Sequence, residues 1–271
     1  MRLSGPVRYR ARSVALNVHV QRAVAAVLVL ALWQSCAART DYAYYISSPL
    51  AIARQIVNWI ASGFIWPHLI ATIATTLEGF VLAAISGVVL AVAIGSSRLA
   101  DKVLSPLIFV AYSTPKVVLA PMLILWVGVG RPPAIILAFV TGFFMVFFNV
   151  LSGIRAVSSA HLNLAAILGA GPLATALKFR VPAAAPFIAT GLQQGLIYAF
   201  HGAILGEMTA SNTGIGYVVV YAATGMDSTA VLAALCVMGV FSYVLISGLE
   251  KGVNRLTPAQ AVSERVRGVL T

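Results

Sequence analysis

Few side chains in this sequence of 271 residues could do chemistry: 18 are Lys or Arg, 7 are Asp or Glu and 4 are His. His19, His68, His161 and His201 show no ligand spacing such as H-E-x-x-H, and no two share one short helix, so no metal site is expected. The acidic residues are scattered and make no paired-carboxylate or Ser-His-Asp pattern, which argues against an enzyme. Leu151-Ser152-Gly153 faintly matches a nucleotide-binding signature. No G-x-x-x-x-G-K-[ST] occurs anywhere, so neither an ATP site nor another cofactor is predicted. Two charges stand out by position. Lys116 lies between Pro115 and Pro121 inside an apolar run, and Glu207 follows Gly206 at the end of another. Each could face a polar solute in a pathway or reach to a membrane interface, and both readings are open. Glu78, alone in a third apolar run, would face either a protein interior or the outer headgroups.

The elements that must hold these groups follow from composition. With 60% hydrophobic and 9% charged residues and a mean hydropathy of +0.95, the chain cannot hide its apolar surface in one soluble core and belongs in a bilayer. The net charge of +11 is dispersed among apolar spans and has no aromatic-basic module beside it, so membrane topology explains it better than nucleic acid does. Cys36 and Cys236 sit in or beside apolar spans and read as small packing residues rather than a disulfide.

The reading is an all-α membrane protein of about six transmembrane helices, at about 23–38, 70–94, 104–127, 134–150, 186–205 and 229–249. Residues 1–22 form a basic cytoplasmic tail, about 23–250 the transmembrane domain and 251–271 a second cytoplasmic tail. The first apolar run could be a cleaved signal peptide with small residues at Ser35-Cys36-Ala37, but the spans that follow favour an uncleaved helix. Between the first two spans, Ile52, Ile56, Trp59 and Ile60 fall on one helical face, suited to the outer interface. The third span holds Pro106, Pro115 and Pro121, so its helix should be broken. With this topology 14 of the 18 basic residues lie inside and three outside, with Lys116 in a span, which places both termini in the cytoplasm.

The longest polar-flanked break in the second half, before the final loop, runs over 161–186. Leu162, Ala165, Ala166 and Gly169 give a short helix one small-residue face, to which another backbone could come close. Gly169-Ala170-Gly171-Pro172 breaks it, and Leu173, Ala176, Leu177 and Phe179 carry a second short helix to Val181, where Pro182 should end it.

From Asn163 onward this stretch resembles the cytoplasmic coupling loop of binding-protein-dependent ABC transporter permeases. In that family Glu-Ala-Ala is followed at fixed spacing by a Gly, then by an apolar residue and an apolar-Pro pair. Here Gly169, Phe179 and Val181-Pro182 take the last three places, while Asn163 and Leu164 stand where the family has Glu and Ala. Pro115-Lys116, Leu119-Ala120-Pro121, Leu125-Trp126 and Gly128-Val129-Gly130 are similar to the nitrate/sulfonate/taurine branch, as are Pro49, Gly63, Gly79-Phe80, Gly87 and Gly95.

The resemblance covers about 45–250. It implies the type I importer permease fold, a multi-pass protein of the bacterial inner membrane, two chains forming one pathway, and lipid around them. It also implies an outside solute-binding protein and separate ATPase subunits docked on about 155–182, with Asn163, Ala165, Ala166, Gly169, Ala170, Leu173 and Pro182 in the contact. The pathway set is Ser113, Lys116, Pro121 and Glu207. The implied solute is a small anion such as nitrate, a sulfonate or taurine, or else a thiamine-precursor pyrimidine. Two other classes are carried beside it: an ion-coupled secondary transporter using Glu78, Lys116 or Glu207, whose repeated broken spans are not found, and a membrane scaffold.

Overall fold

A computed structural model describes residues 8–39 and 47–256, and the described residues form helices and no strand. The first half runs α1 Arg8–Arg39, α2 Pro49–Ala61, α3 Ile65–Ser96, α4 Arg98–Ser113, a 3₁₀ turn at Lys116–Val118, α5 Leu119–Val127 and α6 Arg131–Arg155. Local chemistry sets these boundaries. The Ser48 hydroxyl accepts the Ala51 N–H at the start of α2, where Pro49 loses nothing by lacking an N–H. Ser97 alone links α3 to α4 and caps the latter by accepting the Ala100 N–H, so the connection between the spans expected at 70–94 and 104–127 is a one-residue corner. Ile52 and Trp59 are buried under α2, whereas Ile60, expected on their face, turns outward and is exposed. Helix α1 begins at Arg8, well inside the tail read as separate, because no breaker stands between Arg8 and the apolar run.

The second half runs α7 Ser159–Ile167, α8 Pro172–Thr175, a π-helical turn at Ala176–Arg180, α9 Val181–Ala183, α10 Ala185–Ala210, α11 Ile215–Thr224 and α12 Ser228–Leu256. Pro182 does not end the second short helix as the sequence suggested. Val181 keeps helical angles, φ −62 and ψ −47, and its N–H bonds the carbonyl of Ala176, five residues back. That widened turn makes room for the ring of Pro182 and absorbs its missing donor.

Helix α6 forms the centre of the bundle, packed by both α3 and α10, which also pack on each other. Gly79, Gly87 and Gly95 of α3 meet Ala138, Val146 and Ile154 of α6 in the same order, so these helices run parallel. Gly191, Gly202 and Gly206 of α10 meet Asn149, Ala138 and Ala134 in reverse order, so α10 runs antiparallel to α6. The approach is close: a Cβ on Gly79 would stand 2.5 Å from that of Ala138, and one on Gly206 2.7 Å from that of Ala134. Small residues serve here because lipid gives helices little hydrophobic reason to associate, and packing contacts between near backbones must do so instead.

Among the described residues four helices are long and apolar enough to cross a membrane, the windows being Val20–Ala37, Ile65–Ser96, Arg131–Arg155 and Ser228–Leu249. Helix α4 and the segment Lys116–Val127 add a fifth if they act as one span, although they are bent by 73° at Thr114-Pro115. The packing register decides the point. If that pair turned back on itself, α6 would start beside the end of α3 and run against it, whereas the two are parallel. The pair is therefore a broken span, as its prolines predicted. Helix α10 has 26 residues, about 39 Å at helical rise. Gln193, Gln194, His201 and Glu207 leave it too polar to count by apolarity, although it packs along α6 and α3 with Glu207 buried and Gln194 and His201 exposed. It extends past the expected 186–205, so Glu207 is part of a helix rather than of an outer segment.

Helix α1 stands at the edge, touching chiefly α2 and leaving Val27, Val29 and Leu32 exposed as a lipid-facing helix would. Cys36 and Cys236 are exposed and form no disulfide; the packing role expected of them is not met, because both lie on outward faces.

Candidate functional site

The break between α4 and α5 aims Lys116 into a cleft. Pro115 is extended, with ψ 114, and the 3₁₀ turn that follows swings the chain across the face of α6. The cleft has a volume of about 430 Å3 and is lined by Tyr112, Ser113, Lys116, Thr141, Met145 and Tyr198, among others. The Lys116 ammonium donates to the carbonyl of Tyr112 and lies 4.5 Å from the centre of the Tyr112 ring and 4.9 Å from that of Phe144. Two donors of the ammonium remain, and among the described residues no carboxylate pairs with it. An uncompensated cation beside aromatic faces can hold an anion loosely. Ser113 shares the cleft, its hydroxyl donating back to the Phe109 carbonyl at 2.9 Å. Pro121 does not line it; it is exposed in the first turn of α5.

Glu207 lies elsewhere. It is 2% exposed, and its Oε2 accepts from the Thr72 hydroxyl at 2.9 Å and from the Gly216 N–H at 3.0 Å. Thr72 in turn accepts the Ile215 N–H at 2.9 Å, and Nδ1 of His68 accepts the Gly214 N–H at 3.2 Å. Three side chains from α3 and α10 thus satisfy the open donors at the N-terminus of α11. A Cβ on Gly214, whose φ is +105, would stand 2.5 Å from Oε1 of Glu207, so only glycine admits the carboxylate there. Within one chain Glu207 faces this cap and no open cavity.

At the opposite end α7 and α8 form a knob. Gly169, with φ +66, ends α7 in a left-handed turn, where its N–H donates to Ala166 and that of Ala170 to Ala165. No atom of this chain lies within 4 Å of a Cβ added to Gly169, so within the chain its reason is conformational, and the small face stays open to a partner's backbone. Ala165 is buried inside the knob, while Asn163, Ala166, Leu173 and Pro182 are exposed and Ala170 is half-buried. Beside them Leu164, Ile167 and Leu168 form an apolar surface, Ile167 being 82% exposed. Two contacts that sequence reasoning missed anchor this end. Arg180 donates to the Gly95 carbonyl at 2.7 Å, and Arg155 pairs with Asp101, its Nε donating to Oδ2 at 3.0 Å. Near the other end Arg131 pairs with Glu78 at 2.7 Å, so the lone carboxylate in α3 has a partner. The available signal was opposite charge at one end of neighbouring helices. Among the described residues no group of three His, Cys, Asp or Glu could hold a metal.

Residues 79–251 match the family of binding-protein-dependent transport system inner membrane components. The chain belongs to that family. It is therefore a multi-pass membrane permease of an ABC transporter, a component that works with ATPase and binding-protein components, and the ion-coupled and scaffold readings fall away. It is 30% identical to a probable ABC transporter permease protein of Haemophilus influenzae, over 84% of this chain and 93% of that one. It is 29% identical to the riboflavin transport system permease protein RibX of Chloroflexus aurantiacus, over 84% and 87%. Identity to the taurine transport system permease protein TauC of Escherichia coli is 26%, over 86% of each. The fold is similar to that of the MetNI methionine ABC transporter, a structure solved in inward-facing conformations, with a TM-score of 0.60 and 19% identity over 74% of this chain and 98% of that one.

Proposed function

We propose that this permease is an importer subunit of the bacterial inner membrane that pairs with a second copy and carries a small anionic solute past Lys116. The carrying observation is the half-buried ammonium in a cleft where, among the described residues, no carboxylate pairs with it. Relatives named for taurine and for aliphatic sulfonates support the anion. Pairing is supported by the half-exposed Glu78–Arg131 pair on an apolar face with Leu77, Val81 and Leu82, a costly arrangement against lipid alone. ATPase subunits would dock on the exposed surface of Asn163, Ile167, Leu168 and Leu173. With Asn163 in place of Glu, that contact would rest on apolar burial rather than on a salt bridge.

A second reading, a neutral pyrimidine, is supported by the aromatic Tyr112, Phe144 and Tyr198 around the cleft and by a relative named for formylaminopyrimidine. Both readings are tested together by a solute screen on the partner binding protein and by transport in Lys116 variants. Lys116→Met should lower uptake of an anion about tenfold at limiting solute, an effect of the size expected for one partly desolvated cation, and Lys116→Arg should retain more. Equal uptake by Lys116→Met and parent, at matched membrane abundance, would remove Lys116 from the pathway.

A further inference from the structure

We propose that the pocket between α2, the end of α11 and the start of α12 is a socket for a guanidinium or ammonium group, presented as an Arg or Lys side chain by the extracytoplasmic solute-binding protein. This rests on the importer reading, which places the pocket outside. Its volume is about 540 Å3. Rings of Trp59, Phe64 and Tyr221 line it, the first two with centroids 5.6 Å apart, and Gln55 adds an amide. Asp227 is the charged residue in the lining. Oδ1 of Asp227 accepts the Ala230 N–H at 2.9 Å, capping α12, and no basic side chain among the described residues pairs with the carboxylate.

Aromatic faces and a carboxylate that no described basic side chain pairs both attract a cation, and the carboxylate supplies the directional hydrogen bond that the rings lack. Charge complementarity selects the occupant, because a chain of net charge +11 offers an acidic group at this mouth. The geometry favours a protein side chain over a free amine. The pocket opens at the α11–α12 turn with Tyr221 66% exposed, so a partner surface can close over it while one long side chain enters. An exposed aromatic of this kind suits a protein interface, whose centre is enriched in Tyr, Trp and Arg.

The test uses the full importer in lipid nanodiscs with its cognate solute-binding protein, whose affinity and stimulation of ATP hydrolysis are measured at low and high salt. Asp227→Asn keeps an acceptor for the α12 cap but removes the charge, and should weaken binding about tenfold, with a reduced salt dependence. Gln55→Glu adds a carboxylate and should tighten binding, an effect that a folding defect cannot imitate. Parental affinity in both variants, with the parent still stimulated, would overturn the socket and leave the permease reading intact. No binding or stimulation in the parent would sink the importer reading and the socket together. N-acetylarginine amide is the control for source: if it protects Trp59 from quenching while the binding protein ignores both substitutions, the pocket takes a free amine and the docking proposal is wrong.

Discussion

At Glu207 the hydrogen-bond partners decide the role. A carboxyl group whose Oε2 accepts from the Thr72 hydroxyl and the Gly216 N–H holds α11 against α3 and α10, and its Oε1, though without a partner among the described residues, is buried away from any passing solute. Glu207→Ala would leave both donors buried without an acceptor, each costing about 1–3 kcal/mol. Thermal unfolding of the purified protein in nanodiscs should therefore fall by several degrees. Glu207→Gln keeps one carbonyl oxygen for both donors and should retain parental stability and uptake. Loss of uptake in the Gln variant at parental stability would return Glu207 to the pathway. Sequence reasoning picked out Glu207 as unusual but could not find its partners, since Thr72 lies in another helix, 135 residues away. Lys116 was more legible, because its own neighbours Pro115 and Pro121 signal a broken helix.

Elements follow the same division between near and distant signals. Apolar length located the long helices, and prolines located the bend of 73°, since both effects act within a turn or two of chain. The π turn at Ala176–Arg180 was not legible, because Pro182 reads as a stop unless the turn before it widens. The spacing of Gly169 suggests room for a partner's backbone, and the structure adds a second cause within the chain. Its left-handed φ of +66 sets the angle between α7 and α8, and a side chain there meets no neighbour. Holding a non-glycine residue in that region costs about 1–2 kcal/mol, so Gly169→Leu should relax the turn and tilt the apolar surface of the knob. The variant should stay in the membrane yet copurify less ATPase than the parent. Gly169→Asn should retain more, because Asn tolerates this conformation. If the Leu variant pulls down as much ATPase as the parent, the knob's angle does not govern docking.

For the whole molecule, the proposed direction in the bilayer rests on charge bias, since with both termini inside 14 basic residues would lie inside and three outside. The contacts between helices fix their directions relative to one another. Packing register makes α3 and α6 parallel and α10 antiparallel, and the Gly130 N–H donates to the Ala210 carbonyl at 2.7 Å, which joins the start of α6 to the end of α10 at one end of the bundle. The span read at about 186–205 carries on as α10 to Ala210, and its polar groups divide by position, Glu207 being buried while Gln194 and His201 stay exposed. The decisive position is consequently Thr213, just beyond α10. Reporter fusions after Arg39, Lys102, Val129, Lys178, Thr213 and Lys251 should read outside, inside, outside, inside, outside and inside. If α10 failed to cross, Thr213 would report cytoplasmic and α12 would have to run the other way, carrying Lys251 outside against the charge bias. A cytoplasmic signal at Val129 would instead make the α4–α5 pair a re-entrant loop and contradict the parallel register of α3 and α6. Agreement at both sites is expected, since each hairpin reversal would have to break the glycine contacts along α6 that hold the bundle together.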